Sequence, residues 1–392
     1  MKKTALLAII VASMLFSACN GGSHKLPVDS TKPLTDENRI VCQLDMDDFS
    51  QEDLFAAASK QLRRLDSLGV DILWLKSGCG HESLSESVTR DIRVFTDVAH
   101  QSGKQVWLDW VFCEGEDLDD AQQLDSINAV LKNLVSETGI DGFCFNNIPN
   151  QAYSMQSWHD IIRELKVQNR DMKFLFGADI ANPANQRATP CGFDYDLACD
   201  FQNDLALRIG SFQTQADTLR VVCEHLLEAS ETVQNRRIAS LVSHDHGRKD
   251  VGSSLTALYG DNRYILTVLE FTFFGMPLLC QCQDLSDPKM LNTVRTLIAL
   301  HHQQAALASD APVRFLPTSD PNVLAFERGP VVVVLNLGPA EVKVNLSTAE
   351  SGSYEQWLNS ATIAEGPVRT RVSLDSNSPV SIESKGYAVY VM

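Results

Sequence analysis

Gly139-Ile140-Asp141-Gly142-Phe143-Cys144-Phe145-Asn146 is the stretch that decides the fold. Residues 142–145 form a short β-like run, and the amphipathic segment 122–138 leads into it. The same pairing recurs on both sides. Further β-like runs lie at 40–44, 72–75, 106–111, 173–177, 193–198, 238–242 and 277–280, and helix-like segments at 52–68, 89–102 and 218–230 separate several of them. Strands joined by helical crossovers lie parallel. About eight such units predict a closed (β/α)8 barrel.

The pattern changes near Asp310. Short β runs at 323–326, 331–336, 342–346 and 387–391 are separated by Gly, Pro, Ser and Asn, with no strong helix between them. That reads as a small antiparallel sandwich. The expected organisation is an α/β barrel over 39–309 followed by an all-β domain over 310–392.

The start of the chain reads as an export signal. Lys2 and Lys3 precede an apolar run over 5–16, too short to cross a bilayer as a helix. Phe16-Ser17-Ala18-Cys19 resembles the lipobox of bacterial lipoproteins, with Phe16 where that box prefers leucine. The resemblance implies a signal peptide over 1–18, lipid on Cys19, and a domain held on a bacterial membrane, facing the periplasm or the surface. Residues 20–37 are rich in Gly, Ser, Thr, Pro and Asp, so 19–38 reads as a flexible tether.

The net charge is −17, and the signal holds two of the lysines, so the mature chain is more acidic still. An acidic surface argues against nucleic acid and against electrostatic docking on anionic lipid. Neutral sugars stay compatible with it. Ten cysteines are present, and assigning Cys19 to lipid leaves an odd number. Cys280-Gln281-Cys282 is too tight for a zinc knuckle and reads as strand core. An exported chain permits disulfides, and the spacing leaves their pairing open. No metal and no cofactor are expected.

Four strand ends together resemble the signature regions of the α-amylase family, glycoside hydrolase family 13. Val106-Trp107-Leu108-Asp109-Trp110-Val111 resembles the family's third strand, which ends in aspartate. Gly142-Phe143-Cys144-Phe145-Asn146 resembles Gly-Phe-Arg-x-Asp at the fourth, and Gly177-Ala178-Asp179 the Gly-Glu segment at the fifth. Ser243-His244-Asp245 resembles Asn-His-Asp at the seventh, with Arg248 following. The segment 65–75 and Phe274-Gly275-Met276-Pro277 agree with strands two and eight. The order and spacing are those of the family over nearly the whole mature chain.

The resemblance also shows what is missing. Retaining glycosidases use two carboxyl groups about 5 Å apart, a nucleophile and an acid/base. The nucleophile's position is Asn146, an amide with no negative charge to offer. The acid/base position is Ala178, and the arginine beside the nucleophile is Cys144. Asp245, beside His244, is the one family carboxylate of that trio retained. Asp179 neighbours the vacant acid, but strand alternation turns it away from the centre. Glu114 and Glu116 sit on the loop after strand three, where only about ten residues replace the family's inserted domain, so its structural calcium is not expected.

The candidate sugar-binding residues are therefore Asp109, His244, Asp245 and Arg248. Asp109 fits either a site residue or a strand-end cap, and Cys144 fits either a thiol at the mouth or a buried inert one. Trp107 reads as barrel core. Trp110, Phe112 and Tyr153 suit either a sugar platform or packing under helices. Three functions remain open: a non-cleaving relative that binds an α-glucan or oligosaccharide, an α-glucan hydrolase or transferase using displaced carboxylates (Glu114, Asp179, Asp245), and an assembly subunit with a protein partner in a membrane complex.

Overall fold

The computed structural model describes residues 38–45, 54–76, 85–112, 120–146, 155–177, 192–198, 216–232, 236–241, 255–273, 275–280, 285–307, 311–348 and 350–392, with Phe201, Ala206 and Ile209 as isolated positions. The first part alternates β1 (Val41–Asp45), α1 (Leu54–Leu68), β2 (Ile72–Lys76), α2 (Glu86–Gln101), β3 (Gln105–Val111), α3 (Ala121–Thr138), β4 (Gly142–Asn146), α4 (Met155–Gln168) and β5 (Lys173–Phe176). It continues through β6 (Tyr195–Ala198), α5 (Ala216–Thr232), β7 (Arg236–Ala239), α6 (Leu255–Tyr259), α7 (Asn262–Thr272), β8 (Met276–Leu279) and α8 (Pro288–Gln303). The strands form a closed parallel barrel in sequence order, with β8 returning to pair with β1 at Val41↔Leu278. Each expected barrel strand is present, with its ends shifted by a few residues.

Side chains of alternating parity fill the barrel's interior, among them Trp74, Trp107, Leu175, Tyr195 and Met276. Trp107 is the core residue its parity predicts, fully buried and 5.2 Å from the Tyr195 ring. It needs a small neighbour. A Cβ on Gly142, in register with it on β4, would meet Trp107 Cδ1 at 2.8 Å and the Lys173 carbonyl at 2.6 Å. Glycine there lets the indole fill the space.

The base of the barrel carries one device three times over. Gly69, Gly139 and Gly192 end the preceding segments at φ +93°, +71° and +98°, a left-handed turn that favours glycine. In each case an apolar residue and an aspartate follow, then an even-numbered strand: Val70-Asp71, Ile140-Asp141 and Phe193-Asp194. Asp71 Oδ2 accepts the Ile40 N–H at 2.8 Å and meets His302 Nε2 at 2.9 Å. Asp141 Oδ2 accepts the Val106 N–H at 2.8 Å and meets His100 Nε2 at 2.8 Å. Asp194 Oδ2 accepts the Phe174 N–H at 3.0 Å, with Lys166 Nζ 3.3 Å from Oδ1. Each carboxylate thus satisfies a backbone donor at the start of the preceding odd strand and ties a helix to it.

The β domain holds β9 (Arg314–Leu316), β10 (Val323–Arg328), β11 (Val331–Asn336), β12 (Val342–Val344), β13 (Gly352–Asn359), β14 (Thr370–Leu374), β15 (Val380–Ile382) and β16 (Tyr387–Val391). Six strands pair in the order β14-β13-β16-β11-β10-β9, and β12 pairs with β15. Every residue of β11 is buried because both faces of its sheet are covered. Val332 and Val334 pack inside the sandwich with Val344 and Ile382, whereas Val331, Val333 and Leu335 join the core of the barrel helices. The sequence missed β13 because its apolar positions do not alternate cleanly, and a bulge lies between Gln356 and Leu358.

One cysteine reading is corrected. Strand β8 ends at Leu279, and Cys280 is partly exposed and disulfide-bonded, not strand core. Cys42, Cys144 and Cys223 are free and buried.

The base clamps give a stability prediction. Asp141→Ala leaves the N–H of fully buried Val106 without that acceptor. It should lower the unfolding free energy in a urea titration by about 1–3 kcal/mol. Asp141→Asn, which keeps an acceptor, should lose less.

Candidate functional site at the barrel mouth

Parallel-barrel sites lie at the C-terminal ends of the strands. Two of those ends are described in full where the sequence points. Asp109 of β3 lies in register with Cys144 of β4, and Val111 with Asn146. Asp109, Cys144 and Asn146 therefore share the inner face, as their parity predicts. Asp109 and Cys144 are fully buried and Asn146 is 3% exposed.

Asp109 Oδ1 is the hub. It accepts the Trp74 indole N–H at 3.3 Å and the amide N–H of Asn146. Asn146 is pressed against β5 as well: a Cβ on Gly177 would come within 2.8 Å of Asn146 Cγ and of the Phe145 carbonyl. Glycine at 177 is what admits the amide. The Asn146 side chain is thus engaged in an internal hydrogen bond, donating to the neighbouring carboxylate.

Cys144 is the inert member of the pair of readings. Burial pushes its thiol well above its ordinary pKa, and the Asp109 carboxylate adds to the rise. A thiol so placed stays protonated and is a poor nucleophile.

The aromatic candidates resolve toward packing. Trp110 is fully buried on the outer face of β3, in the core beneath the helices. Phe112 is 3% exposed and packs on Phe145 and Trp158, with ring centroids 5.9 and 5.6 Å away. Ala178, Asp179, His244, Asp245, Arg248, Glu114, Glu116, Tyr153 and Cys19 lie outside the described residues. Among the described residues, no group of three His, Cys, Asp or Glu side chains could hold a metal ion, and no helix is long and apolar enough to cross a membrane.

Two residues that bond Leu241, Tyr259 and Glu270, escaped the sequence reading. Leu241 follows β7 and is the last described residue before the segment holding His244 and Asp245. Its carbonyl accepts the Tyr259 hydroxyl at 2.7 Å, and its N–H bonds the carboxyl of Glu270 on α7. Glu270 is 1% exposed, and burial holds its pKa well above the usual carboxylate range. The available signal was a lone acid inside the run Val268-Leu269-Glu270-Phe271.

The architecture is a closed parallel eight-stranded barrel followed by an antiparallel β domain. Residues 317–391 match the family described as alpha amylase, C-terminal all-beta domain. The α-amylase of Geobacillus thermoleovorans, solved in complex with acarbose, is similar in fold, with a TM-score of 0.70 and 13% identity over 90% of this chain and 98% of that one. An Anoxybacillus α-amylase gives a TM-score of 0.68 and 14% identity, over 91% and 98% of the two chains. A mutant pullulanase of Paenibacillus barengoltzii, solved with maltotriose, gives 0.65 and 13%, over 92% and 79%. No curated protein matches the sequence. The chain has the α-amylase fold and carries an α-amylase C-terminal domain.

The Asn146–Asp109 contact makes a pH prediction. Asn146→Asp places a second carboxyl against a buried one, so one of the two must keep a proton. The folded pair then has a raised pKa, and its penalty is absent at low pH and grows as pH rises through the carboxylate range. The variant's thermal midpoint should fall below that of the parent by more at pH 8 than at pH 5.

Proposed function

We propose that this chain is a non-cleaving relative of the α-amylases that binds an α-glucan or related oligosaccharide at the barrel mouth, exported and held on a bacterial membrane by lipid on Cys19. The α-amylase fold and the matched C-terminal domain support a role with carbohydrate. The observation that carries the loss of hydrolysis is the side chain at the end of β4. Asn146 donates to Asp109 where a retaining enzyme needs an anion, and no cation stands at Cys144. Ala178 at the acid/base position supports the same reading from sequence. Asp109, His244, Asp245 and Arg248 are the sugar-contacting residues in this proposal.

The test is incubation of the purified domain, from residue 39 onward, with a panel of α-glucans, scoring cleavage and retention separately. Retention without release of reducing ends is the expected result. Cleavage that disappears in Asp245→Ala would overturn the proposal in favour of an enzyme using displaced carboxylates such as Glu114 or Asp179. Neither retention nor cleavage would leave the fold to serve as an assembly subunit with a protein partner. For the anchor, cells fed an alkynyl fatty acid should label the wild-type chain and not Cys19→Ser. Equal labelling of both would remove the lipid from the proposal.

A further inference from the structure

The inner face of the barrel carries a cation at its mouth end. Ile72 and Trp74 of β2 belong to the interior core, so Lys76, the last residue of that strand, shares their face and stands at the mouth. It pairs in register with Asp45 of β1, as Trp74 does with Gln43. Toward β3, Leu75 pairs with Leu108, so Lys76 and Asp109 are level, one residue further along each strand. Gln43, Lys76 and Gly177 are partly exposed, whereas Asp109 and Asn146 are buried.

Among the described residues, no hydrogen bond, ion pair or aromatic ring meets the Lys76 side chain. Other lysines that are at least partly buried do have a partner. Lys104 Nζ donates to the Val70 carbonyl at 2.7 Å and to Asp66 at 3.2 Å. Lys132 pairs with Glu164, and Lys166 with Asp194 at 3.3 Å. Lys289 Nζ lies 4.9 Å from the Tyr264 ring centroid, and Lys385 donates to the Leu337 carbonyl. Drawing an ammonium partly out of water costs free energy unless a partner offsets it. The Asp109 carboxylate is not that partner. Its Oδ1 accepts the Trp74 indole and the Asn146 amide instead, and no ion pair joins it to Lys76. Gln43, Asn146 and Gly177 on the same inner face are uncharged. The chain as a whole carries −17. An unpaired cation in the concave end of an acidic protein is therefore a local positive spot, where an anion is favoured.

We infer that the barrel mouth takes an anionic saccharide, an α-glucan bearing phosphate, sulfate or carboxylate groups, and that Lys76 is the residue that selects the charge. This rests on the saccharide-binding reading above and narrows its ligand class. An ammonium offers three donors and no acceptor, so it suits an oxyanion better than a hydroxyl that must also donate. Gln43, one pleat lower on the neighbouring strand, offers both a donor and an acceptor and suits the hydroxyls of the same sugar. The role also explains why a lysine ends a strand whose other residues are all buried and apolar.

The test titrates the full chain, purified in a sugar-free non-ionic detergent, with maltoheptaose and with its phosphate-ester, sulfate-ester and uronate forms. The parent should bind at least one charged form about tenfold or more tighter than the neutral one. High salt should shrink that preference. Lys76→Met removes the charge, keeps the apolar stem and should bring the preference to within about twofold of unity. Lys76→Arg should keep most of it. Lys60→Met makes the same change of net charge at an exposed position on α1 and should keep all of it. The second readout is the rate at which an amine-reactive reagent labels Lys76, followed by mass spectrometry of its peptide. The preferred charged form should slow labelling by about threefold or more, and neutral maltoheptaose by less. Equal binding of neutral and charged forms overturns the inference and leaves the saccharide reading standing. A preference that survives Lys76→Met overturns it too. Binding of no maltoheptaose form defeats the saccharide reading. Shielding of Lys76 by inorganic phosphate alone would then uphold its charge-selecting role, and failure to shield would overturn it.

Discussion

One hydrogen bond organises the barrel mouth: the amide of Asn146 donating to the carboxylate of Asp109. Both groups are shut away from bulk water, where an uncompensated charge is costly and a satisfied one is well held. The Trp74 indole shares the same oxygen, so three neighbouring strands are cross-linked at one atom. The position one pleat below is the buried thiol of Cys144, which burial and the Asp109 carboxylate keep protonated. Gly177 completes the arrangement by leaving room for the amide. These residues suit one another as a packed, hydrogen-bonded floor.

The rest of the molecule ties the barrel strands and helices together. At the base, aspartates before β2, β4 and β6 each bond the start of the preceding strand. On the outer face, Asp196 of β6 meets Arg237 of β7 at 3.2 Å, both buried and in register. Breaking such a pair by removing one partner is far more damaging than replacing both. The β domain closes the far side. Arg328 of β10 donates to the Thr272 and Phe273 carbonyls at 3.3 and 3.1 Å, capping the end of α7. Tyr387 and Thr293 share a bond of 2.6 Å, and Asn292 donates to the Ile363 carbonyl. Barrel and β domain share one continuous apolar core.

The barrel was legible because its strands are apolar and its helices amphipathic, two periods that differ plainly. Parity along β3 and β4 placed Trp107, Asp109, Cys144 and Asn146 on one face, and the structure agrees. Other features were hidden for physical reasons. The repeated glycine, apolar residue, aspartate motif at 69–71, 139–141 and 192–194 gains meaning only once each carboxylate is seen on a strand that sequence does not show to be adjacent. Strand β14, exposed along most of its length at the edge of its sheet, lacks an apolar pattern to announce it. Glu270 looked like any helical acid, because its partner is a backbone N–H 29 positions earlier in the chain, at Leu241. Position 144 was left open between reactive and inert, and only its burial beside Asp109 decides it.

The central proposal is that the end of β4, with Asn146 bonded to Asp109 and Cys144 buried, offers no side chain to form a covalent bond to a sugar. It is tested most directly by incubating the folded domain with an activated fluorinated α-glucosyl donor whose glycosyl-enzyme hydrolyses slowly, so that the covalent intermediate of a retaining mechanism accumulates, and weighing the intact protein. The account predicts an unchanged mass after prolonged incubation. One added fluoroglycosyl unit, mapped to an Asp or Glu at a strand end, would contradict it.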